Sequence, residues 1–187
     1  IYPNAFQKMS VKLAVQVFSN SVYAAIKTCA ELGQLKSDTA LNTANFIRFM
    51  NDLFDVLNSR QLYSRNPYAC AFTENNSRAN TILENALEIM GRIIKISKKD
   101  GKLSRPPCFD WLIQTINATK LIFVDNLTND GLKYLLTSRL NQDVLENLFS
   151  VFRQRGGYNK NPTVRTFRYI FKINTLMNVM KPPGSSN

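Results

Sequence analysis

Apolar residues recur every three or four positions along most of the chain, which is the spacing of one face of an α-helix. The first predicted helix runs from about residue 8 to 32, and Gly33 follows it as the expected C-cap. Further helices are predicted from Asn42 to about Leu57 and from Ser77 to about Ile94. No stretch alternates convincingly between apolar and polar residues, so the sequence predicts an all-α chain.

The second half of the chain continues this pattern. A helix is predicted from about Phe109 to Leu127, with a turn at Asn126–Gly131. Another is predicted from about Gln142 to Gln154. A Gly-Gly turn and a proline then separate it from a last helix, which Thr163 is expected to cap.

Composition narrows the classes of function. The chain has 187 residues, of which 44% are hydrophobic, so it can bury a core. It has no histidine, which excludes His-ligated zinc and imidazole-activated nucleophiles, so any metal or acid–base chemistry must use carboxylates. Its three cysteines form no CxxC pair, which favours a reducing compartment. No apolar run approaches the roughly 20 residues needed to cross a bilayer, so no membrane partner is expected.

The net charge is +11, from 24 Lys and Arg against 13 Asp and Glu. Such an excess favours a polyanionic partner, and nucleic acid is preferred over a membrane surface because no strongly amphipathic basic helix is present. The alternative is an ordinary basic surface that only aids solubility. The basic run Lys95–Pro107 is the best internal boundary, and it is either a solvated loop or a binding arm.

Two neighbouring features suggest chemistry on DNA. Asp143 and Glu146 are three residues apart at a predicted helix start, which places both carboxylates on one face, although acids there can also simply complement the helix dipole. A glycine-broken turn follows with cations that suit phosphate oxygens, although such a turn can also be an ordinary link. The cations are Arg153, Arg155, Lys160 and Arg165. Together, a carboxylate pair and a cationic turn are typical of a metal-dependent nuclease or transposase.

Three segments, in this order, resemble the C-terminal half of P-element-type transposases and their THAP-domain relatives. They are KMSVKLAVQVFSNSV, TANFIRFMNDLFDVLNSR and YLLTSRLNQDVLENLFSVFRQRGGYNKNPT. In that family a helical insertion that binds GTP interrupts an RNase H-like catalytic domain with an Asp-Asp-Glu triad. The resemblance implies three parts: residues 1–7 end the upstream RNase H-like part, 8–130 form the helical GTP-binding insertion, and 131–181 form the C-terminal helical part of the split RNase H-like domain. Residues 182–187 are expected to form a loose tail.

The resemblance also implies a nucleotide site. Asp55 of FDVLNS and Asp143 match residues that the family places at the guanine nucleotide, and contacts are further expected from Asn58, Lys12 and Asn20. A carboxylate suits guanine because it accepts hydrogen bonds from both N1–H and the exocyclic amine. From the residues alone, Asp55 could instead face solvent or pair with Arg60, and Lys12 could be a surface lysine. The sequence has no P-loop, so this GTP site would not be of the Walker type.

By the same resemblance, Glu146 matches the last carboxylate of the triad and is expected to be a catalytic ligand of Mg²⁺. The two upstream Asp residues of the triad are not in this chain, so the isolated chain is expected to be inactive. The absence of an initiator Met suggests a segment of a longer polypeptide.

The sequence thus predicts a segment of a GTP- and Mg²⁺-dependent DNA transposase. Its expected partners are transposon-end and target DNA, GTP and further copies of itself in the full-length protein, and its expected location is the nucleus. The alternative is a host-domesticated relative that binds DNA or protein without catalysis.

Overall fold

The computed structural model describes residues 11–159 and 161–179, without the side chains of residues 11, 12, 14, 143, 144, 178 and 179. The chain divides between Ser138 and Arg139 into two compact units. In the first unit the helices are α1 (Val11–Val17), α2 (Asn20–Glu31), α3 (Ala40–Leu57), α4 (Ser77–Arg92) and α5 (Pro107–Asp130). A short antiparallel hairpin, β1 (Lys95–Ile96) and β2 (Leu103–Ser104), joins α4 to α5.

In the second unit, α6 (Asp143–Arg155) and α7 (Val164–Val179) follow a short 3₁₀ turn at Thr137–Arg139. The predicted all-α class is confirmed, since the hairpin is a minor addition to a helical chain. Within the described residues, no helix combines the length and the hydrophobicity needed to cross a membrane.

The prediction of one continuous helix over residues 8–32 is wrong for the part that the structure describes. The helix is interrupted between Val17 and Asn20, where Ser19 has an extended backbone and its Oγ accepts a hydrogen bond from the Val22 amide at 3.4 Å. This is the geometry of an N-cap, and serine in that role competes with continuation of the helix. Gly33 has a φ of 69°, as the predicted C-cap requires.

The turn predicted at Asn126–Gly131 is also wrong, because α5 continues to Asp130 and ends only at Gly131. Asn126 Nδ2 donates to the Ile122 carbonyl at 2.6 Å, and Thr128 Oγ1 donates to the Val124 carbonyl at 2.8 Å. These polar side chains bond back to their own helix and do not open a turn.

The basic run Lys95–Pro107 contains the β-hairpin and is not an irregular loop. Arg105 fixes the base of the hairpin, because its guanidinium donates to the Gly91 carbonyl at 2.7 Å and to Asp110 at 2.5 Å. The end of α4 is thereby linked to the start of α5.

The core of the first unit lies between α3, α4 and α5. Its buried side chains are mainly those of Leu53, Val56, Leu83, Met90, Ile116 and Phe123. Phe72, from the segment after α3, packs edge-on against Phe123 with ring centroids 4.9 Å apart. Since α3 is held on its apolar face by this core, its polar side chains have fixed positions for the site described below.

The segment after α5 belongs to the first unit as far as Ser138. Leu135 and Phe72 exchange backbone hydrogen bonds of 2.8 and 2.9 Å, and the Thr137 side chain bonds to Ser59. The compact units therefore divide between Ser138 and Arg139, and the domain boundary at residue 131 stays a prediction. The predicted segments 1–7 and 182–187 lie outside the described residues.

The second unit is built on aromatic contacts between α6 and α7. Phe152 is only 4% exposed, and its ring lies 5.3 Å from that of Phe167 and 6.1 Å from that of Phe171. The predicted cap of the last helix is confirmed, since Thr163 Oγ1 accepts from the Thr166 amide at 3.3 Å. This packing fixes which side of each helix remains exposed.

Candidate nucleotide site and nucleic-acid interface

A charged stripe runs along α3, which is otherwise a largely apolar helix. Arg48, Asp52 and Asp55 follow one another at intervals of four and three residues, so they share one face. Asp52 is only 8% exposed, and its Oδ2 lies 3.9 Å from Arg48 Nε. The sequence reasoning identified Asp55 but missed Asp52 and Arg48, although their helical spacing was a usable signal.

Asp55 is held by two asparagine amides. Its Oδ2 accepts from Asn66 Nδ2 at 2.7 Å and from Asn51 Nδ2 at 3.2 Å. Asn51 also donates to Asp52 Oδ1 at 3.3 Å, so the two carboxylates share a donor. Asn66 is oriented from its other side, because its Oδ1 accepts from the Tyr68 amide at 3.1 Å. Asp55 is therefore a half-buried member of a carboxylate–amide network.

Burial governs the protonation of these two acids. It raises the pKa of Asp55 above its usual value of 3.8, and the negative charge of Asp52 raises it further, while the hydrogen bond from Asn66 lowers it. Burial likewise raises the pKa of Asp52, against a hydrogen bond from Asn51 and the positive charge of Arg48. A ligand that donates hydrogen bonds to this pair would compensate for the lost hydration.

An open pocket of about 760 Å³ adjoins this network. It is lined by residues of α2, α3, the following loop and α4, namely Asn20, Tyr23, Arg48, Asp52, Asn66, Pro67, Tyr68 and Arg78. The guanidinium carbon of Arg48 lies 5.4 Å from the centroid of the Tyr23 ring, which keeps the arginine at the wall. The structure thus brings the predicted Asn20 close to the surroundings of Asp55, because Asn66 both lines the pocket and bonds to Asp55.

The other predicted nucleotide residues do not line this pocket within the described side chains. Asn58 is the C-cap of α3, where its amide donates to the Asp55 carbonyl at 3.3 Å, and it does not line the pocket. Lys12 lies on α1 and Asp143 begins α6 in the second unit, and the side chains of both lie outside the described residues. Their assignments stay predictions.

Glu146 is exposed in the first turn of α6. Its Oε1 accepts from Gln142 Nε2 at 2.9 Å, a contact between the N-cap residue and the first turn. Among the described residues, no group of three or more Asp, Glu, Cys or His side chains lies close enough to hold a metal ion. The described part of this segment therefore does not form the predicted Mg²⁺ site by itself.

The predicted cationic turn is exposed where it is described. Arg153 and Arg155 lie in the last turn of α6, and Arg165 lies in the first turn of α7; all three are exposed. Gly157 and Tyr158 both have positive φ, at 68° and 59°, which folds the chain back sharply after α6. Lys160 lies outside the described residues.

Two family models match parts of this chain. Residues 3–70 match the family model of the TNP-like GTP-binding insertion domain, and residues 138–172 match that of the TNP-like RNase H C-terminal domain. Transposable element P transposase of Drosophila melanogaster is 36% identical over 174 residues, which cover 87% of this chain and 21% of that protein. DNA transposase THAP9 of Homo sapiens is 28% identical over 171 residues, which cover 86% of this chain and 18% of that protein.

A solved structure, the Drosophila P element transposase strand transfer complex, is similar to this chain with a TM-score of 0.82 and 31% sequence identity. The match covers 95% of this chain and 39% of the chain in that structure. The chain spans about a fifth of the length of the curated relatives it matches. The predicted resemblance is confirmed: the chain combines, in the predicted order, the insertion domain and the RNase H C-terminal domain of P-element-type transposases.

Proposed function

We propose that this segment of a P-element-type transposase supplies a guanine-nucleotide site and the last carboxylate of a DNA-cutting centre. The observation that carries the proposal is the half-buried Asp55, fixed by two asparagines beside an open pocket, within the stretch that matches a GTP-binding insertion domain. In the full-length protein the reaction would be DNA strand cleavage and transfer, with GTP assisting assembly on DNA.

The nucleotide site is argued from hydrogen-bond complementarity. Guanine presents two adjacent donors, N1–H and the exocyclic amine, and an ionised carboxylate accepts both, whereas adenine has no such pair. Desolvation strengthens such bonds, because a poorly hydrated carboxylate has little water to give up. Arg48 and Arg78 line the adjoining pocket and provide cations suited to a nucleotide's phosphates.

The catalytic part of the proposal concerns Glu146. It is exposed near the start of a helix, as a residue that joins carboxylates from elsewhere must be, and a helix N-terminus favours negative charge. The other ligands of a Mg²⁺ site would come from outside this segment, namely the upstream Asp residues that the family resemblance implies. The exposed Arg153, Arg155 and Arg165 would contact DNA phosphates.

A nuclear location follows from the same proposal, because a transposase must act on chromosomal DNA. We also propose that the full-length protein associates with further copies of itself. Size-exclusion chromatography with light scattering, and imaging of a tagged full-length protein, test these two points.

Calorimetric titration of the 187-residue chain with GTP and ATP tests the nucleotide site. We expect GTP to bind more tightly, and Asp55→Asn to reduce the preference about ten- to a hundredfold, since a charge-assisted bond contributes roughly 1.5–3 kcal/mol. Asp38→Asn, at an exposed acid before α3, is the matched control and should leave the preference unchanged. Equal affinity for both nucleotides, or an Asp55→Asn variant with the full preference, would refute the assignment.

The catalytic assignment is tested on the full-length protein with its upstream acids. Glu146→Gln should abolish Mg²⁺-dependent cleavage of transposon ends while nucleotide binding and thermal unfolding stay unchanged. Glu74→Gln, at an exposed acid of the first unit, is the control. Cleavage at the wild-type rate by the Glu146→Gln variant would refute the catalytic role of Glu146, whereas no cleavage by the unmodified full-length protein would favour a domesticated binding module.

A further inference from the structure

Helix α7 has two chemically different faces. Phe167, Ile170 and Asn174 are wholly or partly buried on the side packed against α6. The opposite side borders an open depression of about 510 Å³. This outer face of α7 is defined by Val164, Arg165, Arg168, Tyr169 and Lys172.

The charge on the outer face is uncompensated. Arg165, Arg168 and Lys172 are spaced by three and four residues, so they form a row that extends about 10 Å along the helix axis at 1.5 Å per residue. Helix α7 contains no acidic residue, and residues 139–187 contain eight Lys and Arg against two Asp and Glu. None of the three cations is ion-paired within the described residues, where the salt bridges found lie in the first unit. Neighbouring like charges on a helix are destabilising, so a polyanion on this face would relieve their repulsion.

The row is suited to a chain of phosphates more than to a single anion. Three cations that converge on one point would hold one phosphate, but these are distributed along two helical turns. Two of them are arginines, whose planar forks bind phosphate oxygens bidentately, and the exposed hydroxyl of Tyr169 can donate to a phosphate beside them.

We propose that the outer face of α7 binds the phosphodiester backbone of DNA, and so extends the interface beyond the predicted turn to Arg168, Tyr169 and Lys172. This rests on the proposed function, in which DNA is the substrate, and it adds residues that neither the motif nor the resemblance identified. Contacts to phosphate oxygens carry no direct sequence information, so this face would contribute affinity and not sequence preference.

The test is fluorescence anisotropy of a labelled 24-base-pair duplex with the 187-residue chain, at salt concentrations from 0.05 to 0.2 M. Arg168→Gln/Lys172→Gln should reduce the slope of log affinity against log salt by about 1.8, because each lost phosphate contact contributes about 0.9. Affinity at 0.1 M salt should fall at least tenfold. Lys98→Gln/Lys99→Gln removes the same charge from the exposed hairpin turn and should change affinity less than twofold.

The outcomes separate the two proposals. If the unmodified chain does not bind the duplex, the DNA interface and this inference are both wrong. If Arg153→Gln/Arg155→Gln weakens binding but the α7 variant does not, only this inference is wrong. If the α7 and hairpin variants lose the same affinity for the duplex, binding depends on net charge alone, and the inference about α7 is wrong.

Two further arms keep the test decisive. Displacement of the duplex by polyglutamate at equal charge concentration would indicate an acidic protein partner and overturn the DNA assignment. Circular dichroism establishes that the double variant is folded; if it is not, the single Lys172→Gln substitution is used, and a slope reduced by about 0.9 supports the proposal whereas an unchanged slope refutes it.

Discussion

Thr137→Val should destabilise the first unit strongly, because Thr137 is part of a buried hydrogen-bonded clasp. Its Oγ1 accepts from the Ser59 amide at 2.9 Å, lies 3.0 Å from Ser59 Oγ and donates to the Val56 carbonyl at 2.6 Å. Both clasp residues are inaccessible, with Ser59 0% and Thr137 2% exposed, although they are 78 positions apart in sequence. The clasp attaches the segment after α5 to the end of α3.

The magnitude follows from the groups that the substitution leaves unpaired. Valine nearly preserves the shape of threonine, so little cavity forms and the loss is almost entirely polar. The Ser59 amide and the Val56 carbonyl would each lose a partner in the interior, at a cost of about 1–3 kcal/mol each, or about 2–6 kcal/mol in total. Typical domains are stable by only about 5–15 kcal/mol, so this loss is large.

Urea unfolding followed by tryptophan fluorescence reports on the first unit, because the single tryptophan, Trp111, lies on its helix α5. The matched control is Thr137→Ser, which keeps the hydroxyl and removes one methyl group, at about 1 kcal/mol. If the free energies of unfolding of the valine and serine variants differ by less than about 0.5 kcal/mol, the hydrogen bonds of the clasp do not stabilise the fold as argued.

Three further predictions concern other parts of the structure. Gly156→Ala should destabilise the second unit by about 1–3 kcal/mol in thermal melts, because the added Cβ would lie 2.9 Å from Ile170 Cδ1; Ile170→Val in the same chain should recover part of the loss. Arg105→Gln should lower stability by about 1–2 kcal/mol in urea, since it releases the end of α4 and Asp110 together at a partly exposed site, whereas Asp110→Asn should cost less. As the pH is lowered, GTP affinity should begin to fall at a pH above 3.8, the usual pKa of an aspartate, because burial raises the pKa of Asp55 and the protonated carboxyl can no longer accept both guanine hydrogen bonds. Asp55→Asn should make GTP affinity less dependent on pH. The sign for stability is opposite: with the folded pKa above the unfolded one, protonation of Asp55 stabilises the unliganded fold, and this contribution is lost as pH rises through the folded pKa.

The helices were predictable where the apolar spacing is regular and the polar residues between them have no competing role. Helix α4 begins at Ser77 as predicted, because Asn76 caps it by accepting from the Ala79 amide at 3.2 Å. The two errors arose at polar residues whose side chains can either cap a helix or bond back to it. Ser19 interrupts a helix and Asn126 continues one, and the choice depends on neighbouring packing that a one-dimensional pattern does not contain.

The candidate site was predictable only in part, for a reason visible in the motif FDVLNS. Its aspartate and its serine are four residues apart but have different surroundings: Asp55 faces the asparagine network, while Ser59 is buried in the clasp with Thr137. The motif therefore combines a candidate ligand residue with a structural one, and resemblance alone does not separate them. Asn66, which orients the carboxylate, comes from an irregular loop without periodicity, and its role exists only because the clasp and the core fix the end of α3 beside that loop.

A substitution in the clasp should therefore weaken nucleotide binding without contacting the nucleotide. Thr137→Val, studied under native conditions, distinguishes this positioning effect from the direct loss expected for Asp55→Asn. The clasp variant should reduce affinity for GTP and ATP alike, because it disturbs the whole pocket, whereas the Asp55 variant should mainly remove the preference for guanine.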